Sequence, residues 1–280
     1  MQRLVMKLTV GLMVLSTLAV PYRTAAQTRE PNQTSPSSPT GAPPQAPVSQ
    51  PASAGDRPVS WKLLLPNLIS DQRHIWSFPV RLAQGKNWIP TAAVLGTTAG
   101  LVALDPHEAP YFHRTSTFQG FNSTFTSNVT AIGTIAAPVS LYAVGLLRKD
   151  SKMQRTALLA GEAVADAEIL TTVLKSATSR ERPAAIPAGG NYSDNWFESG
   201  GGSILRGNGS FPSGHTIAAF SVATVIARRY GNHRWVPYVA YGMATLVGFS
   251  RLSLSSHYLS DVFMGGALGY SISRFTVLRQ

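Results

Sequence analysis

Apolar segments without strand-like alternation dominate the chain from Asn87 onward. They are separated by polar loops and are rich in Ala, Gly, Thr and Ser, which is typical of closely packed helices. The segments cover residues 88–104, 128–147, 156–174, 216–227, 235–250 and 258–273. This pattern predicts an all-α fold, a bundle of about six core helices.

The lengths of these segments leave two settings open. Most lie at or below the roughly 20 residues that a membrane span prefers, so a soluble bundle competes with a bundle integral to the membrane. The loop charges favour the membrane: 148–155 and 228–234 are strongly basic, whereas 105–127 has a single Arg114 beside two acidic residues. The positive-inside rule then predicts that residues 175–213 and 251–257 share the exported face.

The N-terminal part has a different composition. Residues 1–26 combine Arg3 and Lys7 with an apolar run and small residues, the order of a secretory signal peptide. Residues 27–58 are rich in Pro, Ser and Gln and predict a disordered tether, while 59–280 form the helical domain. Because a cleaved signal and six spans would put 105–127 on the wrong side, we expect 61–104 to lie in or on the membrane surface without fully crossing it, leaving five spans. The alternative is that no segment crosses.

Charge and cysteine content restrict the partners. The chain has a net charge of +11 and no cysteine, so its stability has to come from packing or from lipid rather than disulfides. Its Lys and Arg residues are not gathered on one basic and aromatic face, and an export signal argues against nucleic acid as a partner. Phosphate groups and anionic lipids fit the positive charge better.

The stretch "KSATSRERP" (175–183) carries a first pair of cations. Arg182 follows Lys175 by seven residues, about two helical turns, so both would lie on one side of a helix that Pro183 stops. Two fixed cations on one face form an anion clamp. The alternative is a basic helix end that reaches out of a membrane span.

The stretch "PSGH" (212–215) stands where a Gly-rich loop turns into an apolar helix. Ser213 caps such a helix start, and Gly214 lets a ligand approach the exposed amides, which favour an oxyanion. His215 would then lie beside the anion, although a structural, hydrogen-bonded histidine explains the residue equally well.

The stretch "SRLSLSSHYLSD" (250–261) supplies Arg251 and a histidine–carboxylate pair. Asp261 follows His257 by one helical turn, so it can fix the imidazole tautomer and free the other nitrogen for attack. An ordinary His/Asp pair on a polar helix face remains the alternative.

The three stretches together resemble the type 2 phosphatidic acid phosphatase superfamily, which includes vanadium haloperoxidases. The resemblance covers about residues 88–273. It implies that His257 attacks phosphorus to form a phosphohistidine, that Asp261 orients it, and that His215 protonates the leaving oxygen and later helps to activate water. It further implies a set of phosphate-binding residues: Lys175, Arg182, Ser213, Gly214 and Arg251.

Neither a metal nor another cofactor is expected. Three cations and helix-start amides can neutralise the charge that metal ions supply in other phosphatases. His107 and His113, six residues apart beside Glu108, form a weak metal pattern that we interpret as loop surface.

The resemblance implies hydrolysis of a phosphomonoester or diphosphate, and we expect a lipid substrate in the inner membrane. The signal peptide and the loop charges predict that the site faces the periplasm. Phosphatidic acid, phosphatidylglycerol phosphate, polyprenyl diphosphate and a lipopolysaccharide lipid phosphate are the candidate substrates. A soluble periplasmic acid phosphatase, a vanadium-dependent haloperoxidase and a scaffold without turnover are the alternatives.

Overall fold

The computed structural model describes residues 57–187, 189–198 and 209–279, and this part of the chain is helical without strands. The predicted signal peptide and nearly all of the predicted tether lie outside the described residues. The helices are α1 Leu64–Trp76, α2 Phe78–Ala83, α3 Trp88–Arg114, α4 Gln119–Thr124, α5 Ser127–Leu147, α6 Ser151–Thr178, α7 Gly214–Arg229, α8 Trp235–Ser253 and α9 Leu259–Ile272. In the described part, six of them have 14 or more residues, which confirms the all-α bundle.

Helix α3 differs from its prediction. It continues for ten residues beyond the apolar segment, through Pro106 and Pro110, and reaches 27 residues, about 40 Å. Asp105 and Glu108, interpreted as loop charges, are buried within it. Residues 88–104 belong to a helix long enough to cross a bilayer, and the position of 61–104 in or on the membrane surface stays a prediction.

The long helices run alternately up and down between two ends of the bundle. At the first end, here called the site end, α3 meets the start of α9 through Asp105 and Ser260, and α5 meets α8 through Ser127 and Arg251. At the opposite end, here called the basic end, the loops 148–155 and 228–234 lie together, with Lys152 over the ring of Tyr230 at 4.7 Å. All three sequence motifs therefore lie at one end.

Helices α7 and α9 approach each other closely enough to join two of the motifs. A Cβ atom on Gly265 of α9 would stand 2.8 Å from the carbonyl oxygen of Ser213, and one on Gly269 would meet the Ile217 carbonyl at still closer range. The Ser213 amide donates to the Asp261 carbonyl at 3.0 Å. These contacts hold the start of α7 against the start of α9.

Helix α1 packs against a polar patch on α6. Asn67 donates to Glu162 and Gln72 donates to Asp166, both at 2.8 Å, so these two carboxylates are buried inside the bundle while Glu168 is exposed. Arg57, near the end of the predicted tether, already contacts the helical domain, because it binds Asp71 at 2.6 Å. The hydrogen bonds from the half-buried Asn67 and Gln72 amides to the buried Glu162 and Asp166 carboxylates hold α1 along α6.

Candidate active site

The first motif reaches the site in a different way from the predicted one. Helix α6 ends at Thr178, where Ser179 adopts a left-handed conformation with φ of 41°, and Lys175 lies in its last turn. Arg182 follows in extended backbone, since the residue before a proline disfavours the helical conformation. Lys175 thus approaches the site from a helix end and Arg182 from a loop. The prediction that both lie on one helix face was wrong.

Arg182 lies beside the imidazole of His257. Its Nη1 donates to the Ser256 carbonyl at 3.2 Å and stands 3.4 Å from Nε2 of His257. An anion held by this guanidinium would therefore sit next to the Nε2 lone pair. The two motifs meet at the atom that the resemblance implies as the nucleophile.

His257 is buried, with Asp261 on its other side. Its Nδ1 lies 3.4 Å from Oδ2 of Asp261, longer than a full hydrogen bond but close enough to favour the Nδ1–H tautomer. Burial, with smaller contributions from Lys175 and Arg182, lowers the pKa of His257 to about 4 although the Asp261 carboxylate acts to raise it. The imidazole is consequently neutral at pH 7, with a free lone pair on Nε2.

The second motif presents its backbone more than its side chains. Ser213 is the N-cap residue of α7, but its buried hydroxyl accepts from Thr216 at 2.9 Å and makes no cap bond. Gly214 is the first residue of α7, so its N–H precedes the intrahelical bonds. A Cβ there would lie 3.8 Å from Nζ of Lys175, which brings the amide and the ammonium together.

His215 and Arg251 are joined through the start of α5. Nε2–H of His215 donates to the Ser127 carbonyl at 3.1 Å, while Arg251 donates to the Ser127 hydroxyl and to the Phe125 carbonyl, each at 3.0 Å. Ser127 is thus a contact residue that the sequence analysis missed. It fixes the half-buried His215 and the buried Arg251 on one side of the site.

Arg180 is the largest omission from the predicted set. It is 1% exposed, and it binds Asp261 Oδ1 and Asp105 Oδ2 at 2.7 Å each. Its guanidinium also lies 3.9 Å from the ring centre of Tyr258 and 4.4 Å from that of Trp196. The signal for it was its place within the first motif, two residues before Arg182.

The weak metal pattern is not a cluster in the structure. His113 Nδ1 lies 2.6 Å from the Tyr192 hydroxyl, and His107 is exposed. Glu108, expected at a loop surface, is buried and accepts from the Leu259 amide at 3.0 Å. Within the described ranges, no group of three or more His, Cys, Asp or Glu residues is arranged to hold a metal ion.

Known proteins are similar to this chain over part of its length. The chain is 41% identical over 61 residues to a lipid A 1-phosphatase from Porphyromonas gingivalis, which is 21% of this chain and 14% of that protein. The chain therefore matches only a small part of that relative's length. A transmembrane PAP2 type phosphatidylglycerolphosphate phosphatase from Bacillus subtilis, solved by crystallography, aligns with 77% of this chain and 92% of its own, at 21% identity and a TM-score of 0.38.

The model of the PAP2 superfamily matches residues 156–280. This range contains Lys175 and Arg182, the stretch 212–215, and the stretch 250–261. The structure brings these three stretches to one end of a helical bundle, around the buried imidazole of His257. The part of the chain that holds the candidate active site therefore matches the PAP2 superfamily.

Proposed function

We propose that this protein is a metal-independent phosphatase that hydrolyses a phosphomonoester or diphosphate of a lipid through a phosphohistidine. The observation that carries the proposal is the position of His257. It is buried and neutral, with Asp261 at 3.4 Å from Nδ1 and Arg182 at 3.4 Å from Nε2. The imidazole therefore has an orienting carboxylate beside Nδ1 and an anion-binding cation beside the nucleophilic Nε2.

The reaction needs two steps. Nε2 of His257 forms a bond to phosphorus while the bond from phosphorus to the leaving oxygen breaks, and His215 gives that oxygen its proton. Water then attacks the phosphohistidine, His215 takes a proton from it, and the P–N bond breaks to release phosphate and restore His257.

Positive charge at the site balances the phosphate and the charge that develops in the transition state. Lys175 and Arg182 approach from α6 and its following loop, Arg251 from α8, and the Gly214 amide from the start of α7. Fixed cations and oriented amides stabilise an oxyanion without reorganising. This set supplies the electrostatic role that metal ions have in other phosphatases.

Exposed apolar side chains support a membrane setting for the substrate. Helices α3 and α5 are long and apolar enough to cross a bilayer, and only 17% of each apolar window is buried in the bundle. Ile89 is 76% exposed and Ile132 65%, and α8 adds Val239 at 52%. Exposed apolar side chains of this kind suit contact with lipid chains, which supports a lipid as the substrate.

The first test is phosphate release by the detergent-purified protein. The panel contains diacylglycerol phosphate, phosphatidylglycerol phosphate, a polyprenyl diphosphate, lipid A and a soluble aryl phosphate. We expect release from at least one lipid, faster than from the aryl phosphate, and unchanged by EDTA. Release only from the aryl phosphate by a protein that leaves cells without detergent would favour a soluble acid phosphatase. Loss of activity with EDTA would contradict the metal-independent mechanism.

The second test concerns the exported position of the site end, which rests on the basic loops at the opposite end. The chain has no cysteine, so single-cysteine variants have no background. We expect a membrane-impermeant maleimide to label Phe197→Cys in intact spheroplasts, and Asn232→Cys only after lysis. Phe197 is 76% exposed near the site, and Asn232 is exposed at the basic end. The reverse pattern would put the site in the cytoplasm.

A further inference from the structure

The buried guanidinium of Arg180 binds two carboxylates, one on α3 and one on α9. Asp105 Oδ2 and Asp261 Oδ1 each accept from it at 2.7 Å, and the Ser260 hydroxyl accepts at 2.8 Å. Asn195 accepts from its Nε at 2.8 Å. The guanidinium also lies against the rings of Trp196 and Tyr258, so hydrogen bonds and ring contacts together restrain its position.

Helix α3 completes this arrangement at the start of α9. The Tyr258 amide donates to Oδ2 of Asp261 at 2.9 Å, the Leu259 amide to Glu108 at 3.0 Å, and the Ser260 amide to Oδ1 of Asp105 at 3.2 Å. Three carboxylates thus accept from three consecutive amides, those of the N-cap residue Tyr258 and of the first two residues of α9, where negative charge is favoured. His257 immediately precedes these residues.

The contacts leave little freedom to the carboxylate that faces His257. One oxygen of Asp261 is held by Arg180, and the other is shared by the Tyr258 amide and the 3.4 Å contact with Nδ1 of His257. Rotation of the carboxylate would break the bonds to Arg180 and to Tyr258. Arg180 is itself fixed by Asp105, which comes from a helix before the matched superfamily range.

We propose that Asp105 and Arg180 are positioning residues that set the orientation and charge of Asp261, and through it the tautomer of His257. The inference rests on the proposed phosphatase function. Neither residue needs to touch the phosphate, because Lys175, Arg182 and Arg251 supply the anion contacts. Their removal therefore affects turnover more than substrate binding.

The test compares Arg180→Gln and Arg180→Lys with wild type on the panel substrate hydrolysed fastest. We expect kcat to fall about 10- to 100-fold in Arg180→Gln, with KM and the inhibition constant of inorganic phosphate within about threefold. Arg180→Lys keeps the charge but loses the two-pronged geometry, so it should retain an intermediate kcat. A wild-type kcat in Arg180→Gln would overturn the inference.

A double-mutant cycle separates positioning from general loss of structure. We expect Arg180→Gln to lower kcat by less than about threefold when Asp261→Asn is already present, since the residue acts through Asp261. The double variant also removes one of the two buried carboxylates, Asp105 and Asp261, that Arg180→Gln alone leaves without their cation. An undiminished effect of Arg180→Gln in the Asp261→Asn background would overturn the inference.

Asp105→Asn tests the other half of the link through the acid limb of kcat/KM. The charged groups that face His257 are Asp261 from α9, Lys175 from α6 and Arg182 from the loop after α6. His257 attacks only when its imidazole is neutral. Removal of the Asp105 charge leaves the positive charge of Arg180 less compensated, which disfavours protonation of His257. The acid limb of the kcat/KM profile should therefore stay in place or move to lower pH while kcat falls. Movement to higher pH would indicate an exposed, loosened His257 and contradict the inference.

Arg57→Gln is the matched control for both arginine variants. Arg57 also makes a short ion pair with a buried carboxylate, at 2.6 Å to Asp71, but it does so on α1, away from the three motifs. We expect Arg57→Gln to lower thermal stability and to retain kcat. A wild-type protein that releases no phosphate would contradict the proposed function itself. An active wild type together with a fully active Arg180→Gln would contradict only the positioning role of Arg180.

Discussion

We expect replacement of His257 by alanine to lower phosphate release at least about 10³-fold below wild type. The substitution removes the nitrogen that we propose bonds to phosphorus, and loss of a nucleophile typically removes most of the rate enhancement. The variant retains its fold, since a small cavity beside Asp261 is the main structural change. Phosphate release is measured under single-turnover conditions, and the melting temperature is recorded in the same detergent.

Asp261→Asn is the paired variant for this prediction. It keeps the shape of the side chain and the contact with the Tyr258 amide but loses the charge that holds the His257 tautomer. We expect turnover to fall strongly, yet to remain above that of His257→Ala. Radiolabelled phosphate retained on wild type after acid-free quenching, and absent from His257→Ala, would identify the covalent intermediate. Full activity of His257→Ala would contradict the mechanism.

Gly269→Val separates α7 from α9 and removes both stability and activity. The new Cβ would collide with the Ile217 carbonyl of α7, and a backbone atom cannot move aside as a flexible side chain does. Overpacking of this kind costs about 1–3 kcal/mol or more in the free energy of unfolding. Because the Ser213–Asp261 backbone bond joins the two motifs, a shift of about 1 Å should cost roughly 10²-fold in kcat.

Gly242→Val is the control for this substitution. Gly242 is also a helical glycine, in α8, but a Cβ there would meet nothing within 4 Å. The same change of residue therefore tests helix propensity without the collision. We expect Gly242→Val to change the melting temperature little and to keep wild-type kcat. Equal losses in both variants would show that close packing of α7 on α9 is not the cause.

Helix content and motif residues followed from local sequence patterns. The apolar segments predicted the bundle because a helix that buries or exposes an apolar surface needs a long run of such residues. The eight predicted site residues lie at one end of that bundle, and their catalytic and phosphate-binding roles stay predictions. Their detection depended on fixed residue types at fixed spacing, which sequence displays directly.

Helix α3 shows where local patterns failed. The sequence indicated a loop here, because Asp105 and Glu108 are charged and the two prolines, Pro106 and Pro110, interrupt backbone hydrogen bonding. The structure continues the helix because both carboxylates are bound by α9 amides and Asp105 also by Arg180. Such compensation comes from residues some 75 to 155 positions away along the chain, and no local window contains it.

The sequence by itself determined the helical class, the superfamily motifs and the chemical types that surround a phosphate. Only the tertiary structure decided how the motifs meet: Arg182 comes from extended backbone and not from a helix face, and Asp261 is held by Arg180 and by α3. The physical reason is the range of the forces involved. Helix formation and capping act within a few residues, whereas pairing of buried charges depends on which helices the packed core brings together.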